Sequence, residues 1–96
     1  MSRRGKWAVE LLPSARRELL ALRAPIQTRL RNAIRTLADD PLPSDSIPMR
    51  GKGVGLHRMR VGGYRVVYRL HAQRICVLVI RIGHRSEVYR GWEDLR

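Results

Sequence analysis

The sequence predicts an α+β fold, ordered β-α-α-β-β-β, in which an N-terminal helical hairpin packs on an antiparallel sheet. Three observations predict it. Apolar residues recur at helical spacing between Ala15 and Leu37, then switch to alternation from Leu56 onward. Proline and paired glycines punctuate the changes of period. Finally, 96 residues with 44% hydrophobic and 29% charged side chains suffice for one core, so residues 1–96 are expected to form a single domain. With no Phe, two Trp and three Tyr, that core must rest on Leu, Ile, Val and Ala.

The elements follow in order. Lys6 to Leu12 reads as a strand, Trp7, Val9 and Leu11 alternating with Lys6, Ala8 and Glu10. Pro13-Ser14 stops it and opens a helix, because proline is tolerated in a first turn. Ala15, Leu19 and Leu22 line that helix, opposite Arg16, Arg17 and Glu18. Ala24-Pro25 is expected to break it. A second helix runs from about Ile26 to Ala38, with an apolar stripe of Ile26, Leu30, Ala33, Ile34 and Leu37, and with Arg29, Arg31, Asn32 and Arg35 facing away. Asp39-Asp40-Pro41 ends it, and Leu42 to Gly55 reads as a connecting loop carrying the basic segment Met49 to Gly53. Leu56 to Val61 and Tyr64 to Leu70 alternate around Gly62-Gly63, a strong hairpin signal. After a turn at His71-Ala72-Gln73, Arg74 to Ile82 is the most apolar strand and the expected centre of the sheet, ended by Gly83. His84 to Arg90 reads as an irregular or short strand, and Trp92 to Arg96 as a tail or single helical turn.

Charge narrows the function. Twenty Lys plus Arg, 18 of them Arg, oppose eight acids, for a net +12. Arginine pairs bidentately with phosphate and stacks on bases, so a chain this basic calls for a polyanion or an acidic protein partner. Met49 to Gly91 holds ten cations and one acid, Glu87, against nine and five in residues 1–48. The C-terminal half is therefore the expected polyanion-binding half. Lone Cys76, in the apolar run Ile75 to Ile80, has no disulfide partner and reads as a buried small hydrophobe. With neither a membrane-spanning run nor an apolar leader, a cytoplasmic location and no membrane partner are expected.

Alternation places His57, Met59 and Val61 on one face of their strand and Arg58 and Arg60 on the other. On the next strand Arg65, Val67 and Arg69 oppose Tyr64, Val66 and Tyr68, so Arg60 and Arg65 become neighbours across the turn. Like charges side by side on a sheet repel. Such a face is tolerated when solvated or when it receives an anion. His84-Arg85-Ser86-Glu87-Val88-Tyr89-Arg90 then concentrates an imidazole, guanidiniums and a phenol. Cleavage of RNA by its own 2′-OH needs a base, an acid and cations on the phosphorane, roles open to His or Tyr and to Arg. The bland readings are a ring packed on the sheet for Tyr89 and a turn residue for His84. The three histidines lack metal-ligand spacing, no paired carboxylates suit a two-metal nuclease, and no cofactor fingerprint occurs, so neither metal nor cofactor is expected.

The run Leu56-His57-Arg58-Met59-Arg60-Val61-Gly62-Gly63-Tyr64-Arg65-Val66-Val67-Tyr68, the later Gly83-His84-Arg85-Ser86-Glu87-Val88-Tyr89 and the early Pro13 to Leu19 resemble the RelE toxins of bacterial type II toxin–antitoxin systems. The resemblance spans nearly the whole chain. It implies a ribosome-dependent mRNA endoribonuclease that cuts the codon in the A site by 2′-OH attack on the adjacent phosphate, without metal. It also implies that Arg65 steadies phosphorane charge, Arg85 helps the leaving group, and Tyr89 or a basic neighbour handles the 2′-OH proton, with His84 a second candidate because a histidine near this place is functional in related toxins. Well-known members carry lysines where this chain has Arg58 and Arg60. Since arginine effectively cannot lose its proton, these two are expected to hold RNA phosphates. The implied partners are a cognate antitoxin, the ribosome and mRNA, with operator DNA reached only through the antitoxin complex. Two other readings stay open: a ParE-type toxin inhibiting DNA gyrase by protein contact on the same fold, and a non-catalytic RNA- or ribosome-binding protein.

Overall fold

The computed structural model describes residues 6–50 and 55–89. Its elements are β1 (Ala8–Leu11), α1 (Pro13–Leu20), α2 (Ala24–Thr36), β2 (Ser46–Pro48), β3 (Leu56–Val61), β4 (Tyr64–His71) and β5 (Cys76–His84). The expected α+β class, a helical pair on a mostly antiparallel sheet, is what forms. The sheet has five strands in the order β1-β5-β4-β3-β2. Gly51 to Gly53 of the basic loop, Arg90 and the tail from Trp92 lie outside the described residues.

Neither helix has a side-chain N-cap, and each starts instead on a proline in its first turn. Proline's preset φ suits that position and its missing N–H would be unpaired there anyway. This corrects one expectation: Ala24-Pro25 does not merely break α1 but forms the opening of α2. Arg17 and Arg35 lie in the last turns, where cations complement the helix dipole. The expected stripes hold the helices on the sheet. Ala15, Leu19, Leu30, Ile34 and Leu37 interlock with Met59, Val61, Val66, Tyr68, Val77, Val79 and Ile82 in the main core. Burying each large aliphatic side chain here contributes roughly 1.5–3 kcal/mol. Among the described residues no helix is long and apolar enough to cross a membrane.

The sheet departs from expectation in three ways. First, β2 lies inside the predicted loop, pairing antiparallel with β3. At three residues, one of them Pro48, it is too short for alternation to announce it, and proline suits an edge strand. Second, the sheet is mixed, because β1 runs parallel to β5, with Val9 opposite Val77 and Leu11 opposite Val79. β1 reaches only as far as Val79; beyond it the Ile82 N–H is taken up by the Glu18 carboxylate at 2.8 Å. Third, β5 runs from Cys76 through Gly83 to His84, so Gly83 does not end it and Arg74 belongs to the preceding turn. Cys76 is buried as expected.

A bulge on β5 explains why simple alternation misreads that strand. Val67 faces Arg81 but Tyr68 faces Val79, leaving Ile80 as the extra residue. Val79 and Ile82, three apart, therefore both enter the main core, while Ile80 turns to the opposite face. On that face lies a second, smaller core of Met49, Leu56, Val67, Val88 and Tyr89. The helices cover one side of the sheet; the other carries this small core and the arginines.

Candidate functional site

The β3–β4 hairpin supplies the base of the site. Its register pairs Arg60 with Arg65 and Arg58 with Val67, all on the side away from the helices. Gly62 adopts φ +61° in the turn, a left-handed conformation that costs other residues roughly 1 kcal/mol or more. The Arg65 guanidinium donates to the carbonyls of Gly62 (3.1 Å) and Tyr64 (3.0 Å), which fixes its root beside the turn.

Segment 85–89 closes over this face. A side chain at Gly83 would meet Val88 at 3.4 Å, so glycine there leaves room for the chain to fold back across the end of β5. The Glu87 and Val88 N–H groups both donate to the His84 carbonyl at 2.8 Å, and the Arg85 N–H donates to Gly63 O at 2.8 Å. Val88 and Tyr89 are thereby buried in the smaller core. The Tyr89 ring is only 8% exposed, so the packed-ring reading is correct for the ring. Its hydroxyl has a separate role. Arg58 Nη1 donates to the Tyr89 oxygen at 3.0 Å, with Arg58 Cζ 5.7 Å from the ring centroid. The phenol proton is left available to another acceptor.

Two recesses share this ground. One, of about 310 Å³, is lined by Arg58, Arg60 and Arg65 with Ser44, Asp45 and Ile47. The second, of about 550 Å³, is lined by Arg29, Arg60, Arg65 and Arg85 together with Asp45. Arg65 stands between them. Burial lowers its pKa first, the Tyr89 phenol works in the opposite direction, and then Arg60, Arg58 and Arg85 lower it again. The guanidinium remains a cation, since an arginine effectively cannot lose its proton in a protein. Arg58, Arg60, Arg85 and Tyr89 are thus all within electrostatic reach of Arg65, although they come from two strands and a turn. Cations converging on a concave surface, beside a phenol positioned by Arg58, can bind a phosphodiester and stabilise added charge on its phosphorus.

His84 does not join them. It pairs with Tyr64 in the sheet, and their rings meet edge-on at 5.4 Å on the helix side. It lines a different recess, with Glu18, Tyr64 and Glu87. Nδ1 accepts the Ser86 N–H at 3.2 Å and contacts Ser86 Oγ at 2.8 Å, so the neutral ring carries its proton on Nε2. Its turn-residue reading fits this geometry. Among the described residues no three His, Cys, Asp or Glu side chains group together as metal ligands would.

Sequence reasoning missed Arg29 and Asp45. Helix phase correctly puts Arg29 on the exposed side of α2, yet that side faces the hairpin turn. Only the docking angle of α2 on the sheet discloses this. Asp45 comes from the connection that was read as a plain loop, and its carbonyl accepts the Arg60 N–H at 3.2 Å.

Comparison with known proteins gives a consistent result. A family model described as the ParE toxin of type II toxin–antitoxin systems matches residues 9–89. Toxin RelG of Mycobacterium tuberculosis is 31% identical over 85 residues, covering 88% of this chain and 97% of that protein. The toxin–antitoxin complex RelBE2 from Mycobacterium tuberculosis aligns with a TM-score of 0.77 and 28% identity over 82% of this chain and 98% of that one. The archaeal RelE–RelB complex from Pyrococcus horikoshii aligns with a TM-score of 0.74 over 85% and 98%; at 23% identity it shows the shared fold.

Proposed function

Because the chain belongs to the RelE/ParE superfamily of type II toxins, we propose that it is the family's nuclease form, a ribosome-dependent endoribonuclease cutting mRNA in the A site. The observation that carries the reading is the Arg58–Tyr89 contact at 3.0 Å, both groups within electrostatic reach of Arg65. A gyrase inhibitor acting by protein contact has no need of a phenol held by a guanidinium that lines a basic recess.

The reaction proposed for this site needs no group beyond the RNA and these side chains. The ribose 2′-oxygen attacks the adjacent phosphorus and the P–O5′ bond breaks, leaving a 2′,3′-cyclic phosphate and a free 5′-hydroxyl. Tyr89, its oxygen held by Arg58, relays the 2′-OH proton: the phenol oxygen accepts it while the phenol's own proton passes to a phosphate oxygen, and from there it protonates the departing 5′-oxygen. Arg65, anchored on two carbonyls, neutralises the phosphorane. Arg85, which lines the larger recess, neutralises charge on the departing 5′-oxygen. Arg58 and Arg60 hold the strand by its phosphates. His84, on the opposite side of the sheet, takes no part.

The partners in this reading are the ribosome with its mRNA and a cognate antitoxin; operator DNA is engaged only through the antitoxin complex. The net charge of +12 suits an acidic antitoxin segment, and two of the structural relatives above are toxin–antitoxin complexes. The family model's own description favours a second reading, the ParE-type gyrase inhibitor. One experiment separates the two. The toxin is produced in a translating extract beside Tyr89→Phe and Arg65→Ala, and mRNA 5′ ends are mapped while gyrase supercoiling is followed. Breaks inside codons that vanish in both variants support the nuclease. Intact mRNA with inhibited supercoiling supports the ParE reading, and neither effect leaves a non-catalytic RNA- or ribosome-binding protein.

A further inference from the structure

We infer that Arg29 of α2, with Arg60, forms a second phosphate subsite that holds the RNA strand at a phosphate flanking the scissile one. This rests on the nuclease reading above and extends it to a residue outside the catalytic group. The Arg29 guanidinium lies flat over the Gly62 turn, where a Cβ would come within 2.8 Å of Nη1 and 3.1 Å of Cζ. Glycine at this turn therefore does two things. It adopts φ +61°, and it leaves a surface on which a helix-borne guanidinium can rest beside the hairpin.

Arg29 is exposed, and among the described residues its guanidinium has no hydrogen-bond or ion-pair partner. Its N–H donors are thus available to a ligand. They border the recess of about 550 Å³ that also receives Arg60, Arg65 and Arg85, with Asp45 its one acid. Four guanidiniums against one carboxylate repel one another until an anion arrives. That recess joins the smaller one through Arg60, Arg65 and Asp45, which line both. An RNA strand with its scissile phosphate at Arg65 and Tyr89 would therefore carry a neighbouring phosphate round the turn to Arg29. Arginine suits this because its fork grips two phosphate oxygens at once.

The test uses full-length protein and a 2′-O-methyl hexanucleotide, which cannot be cleaved, with binding followed by fluorescence anisotropy across a salt series. Arg29→Gln is compared with Arg35→Gln, a charge-matched control on the same helix that lines neither recess. The expected result is roughly three- to tenfold weaker binding for Arg29→Gln, with a salt slope smaller by about 0.7, and much less change for Arg35→Gln. Equal effects of Arg29→Gln and Arg35→Gln would overturn the subsite. If Tyr89→Phe still abolished mRNA cleavage in that case, the nuclease reading would survive without it. A loss seen with polyglutamate as the probe but not with RNA would reassign the surface to an acidic protein partner and also overturn the inference. No binding of RNA by the unaltered protein would overturn the subsite, while mRNA cleavage on ribosomes would still decide the nuclease reading.

Discussion

Replacing Tyr89 by Phe separates what the ring does from what the hydroxyl does. The ring is 8% exposed and packs with Met49, Leu56, Val67 and Val88, contacts that Phe retains. The loss is one hydrogen bond from the Arg58 guanidinium. Arg58 is half-buried, so water can replace the phenol, and the cost to folding is about 1 kcal/mol or less. For a domain of this size that lowers the melting midpoint by no more than roughly 4–8 °C. If the hydroxyl transfers the 2′-OH proton, its removal slows cleavage about 10²–10⁴-fold, equivalent to roughly 3–5.5 kcal/mol of barrier. The two effects differ enough to be read apart. Single-turnover cleavage of mRNA on programmed ribosomes gives the rate, and a thermal melt gives the stability. Tyr89→Ala is the wrong probe, because emptying the smaller core costs about 3–5 kcal/mol and confounds the rate with unfolding. Cleavage by Tyr89→Phe within threefold of the original rate would refute the assignment of proton transfer to this residue.

Three further outcomes are expected. His84→Phe keeps a ring against Tyr64 and removes both nitrogens, so cleavage should stay within about threefold of the original; a hundredfold loss would restore His84 to the chemistry. His57 stacks on Tyr68 at 5.6 Å with its Nδ1 buried and unpartnered, and burial holds its pKa below the ordinary 6.5. The unfolded chain therefore binds a proton below about pH 6.5 that the folded chain refuses, so stability is full above that pH and falls as the pH drops towards the folded pKa. Urea midpoints measured from pH 8 to 5.5 should show this decline, and His57→Phe should flatten it; an unchanged profile would assign the decline to other groups. Ile75 occupies φ +52° at the turn before β5, with its side chain 48% exposed, so a β-branched residue bears left-handed strain with little packing in return. Ile75→Asn should stabilise the fold by about 1 kcal/mol in denaturant titration, and a loss of similar size would show that what the side chain does bury outweighs the strain.

Much of the site was legible because its geometry is local. Two residues per repeat fix which side chains share a strand face, so Arg58, Arg60 and Arg65 were assigned to one side of a hairpin whose turn Gly62-Gly63 announces. The same rule failed on β5, where the bulge at Ile80 reverses the faces midway. It also had no purchase on β2, too short to show a period, or on the parallel pairing of β1 with β5, which joins residues some 68 positions apart (Ala8 with Cys76). In sequence His84 stood as a second candidate beside Tyr89, five positions apart in one basic run. Gly83 and the turn that follows separate them, folding Tyr89 over the arginine face while His84 stays with Tyr64 on the helix side.

By itself, then, the sequence determined the α+β class, the two helical stripes, the β3–β4 hairpin and the excess of arginine over acid, because each follows from periodicity or composition. Only the tertiary structure decided which groups meet: Arg58 on the Tyr89 oxygen, Arg85 and Arg29 at the recess beside Arg65, and His84 apart from them. The reason is physical. A side chain's face is set by its own strand or helix, whereas its neighbours across space depend on register, bulges and the docking of α2, which packing over the whole core settles at once.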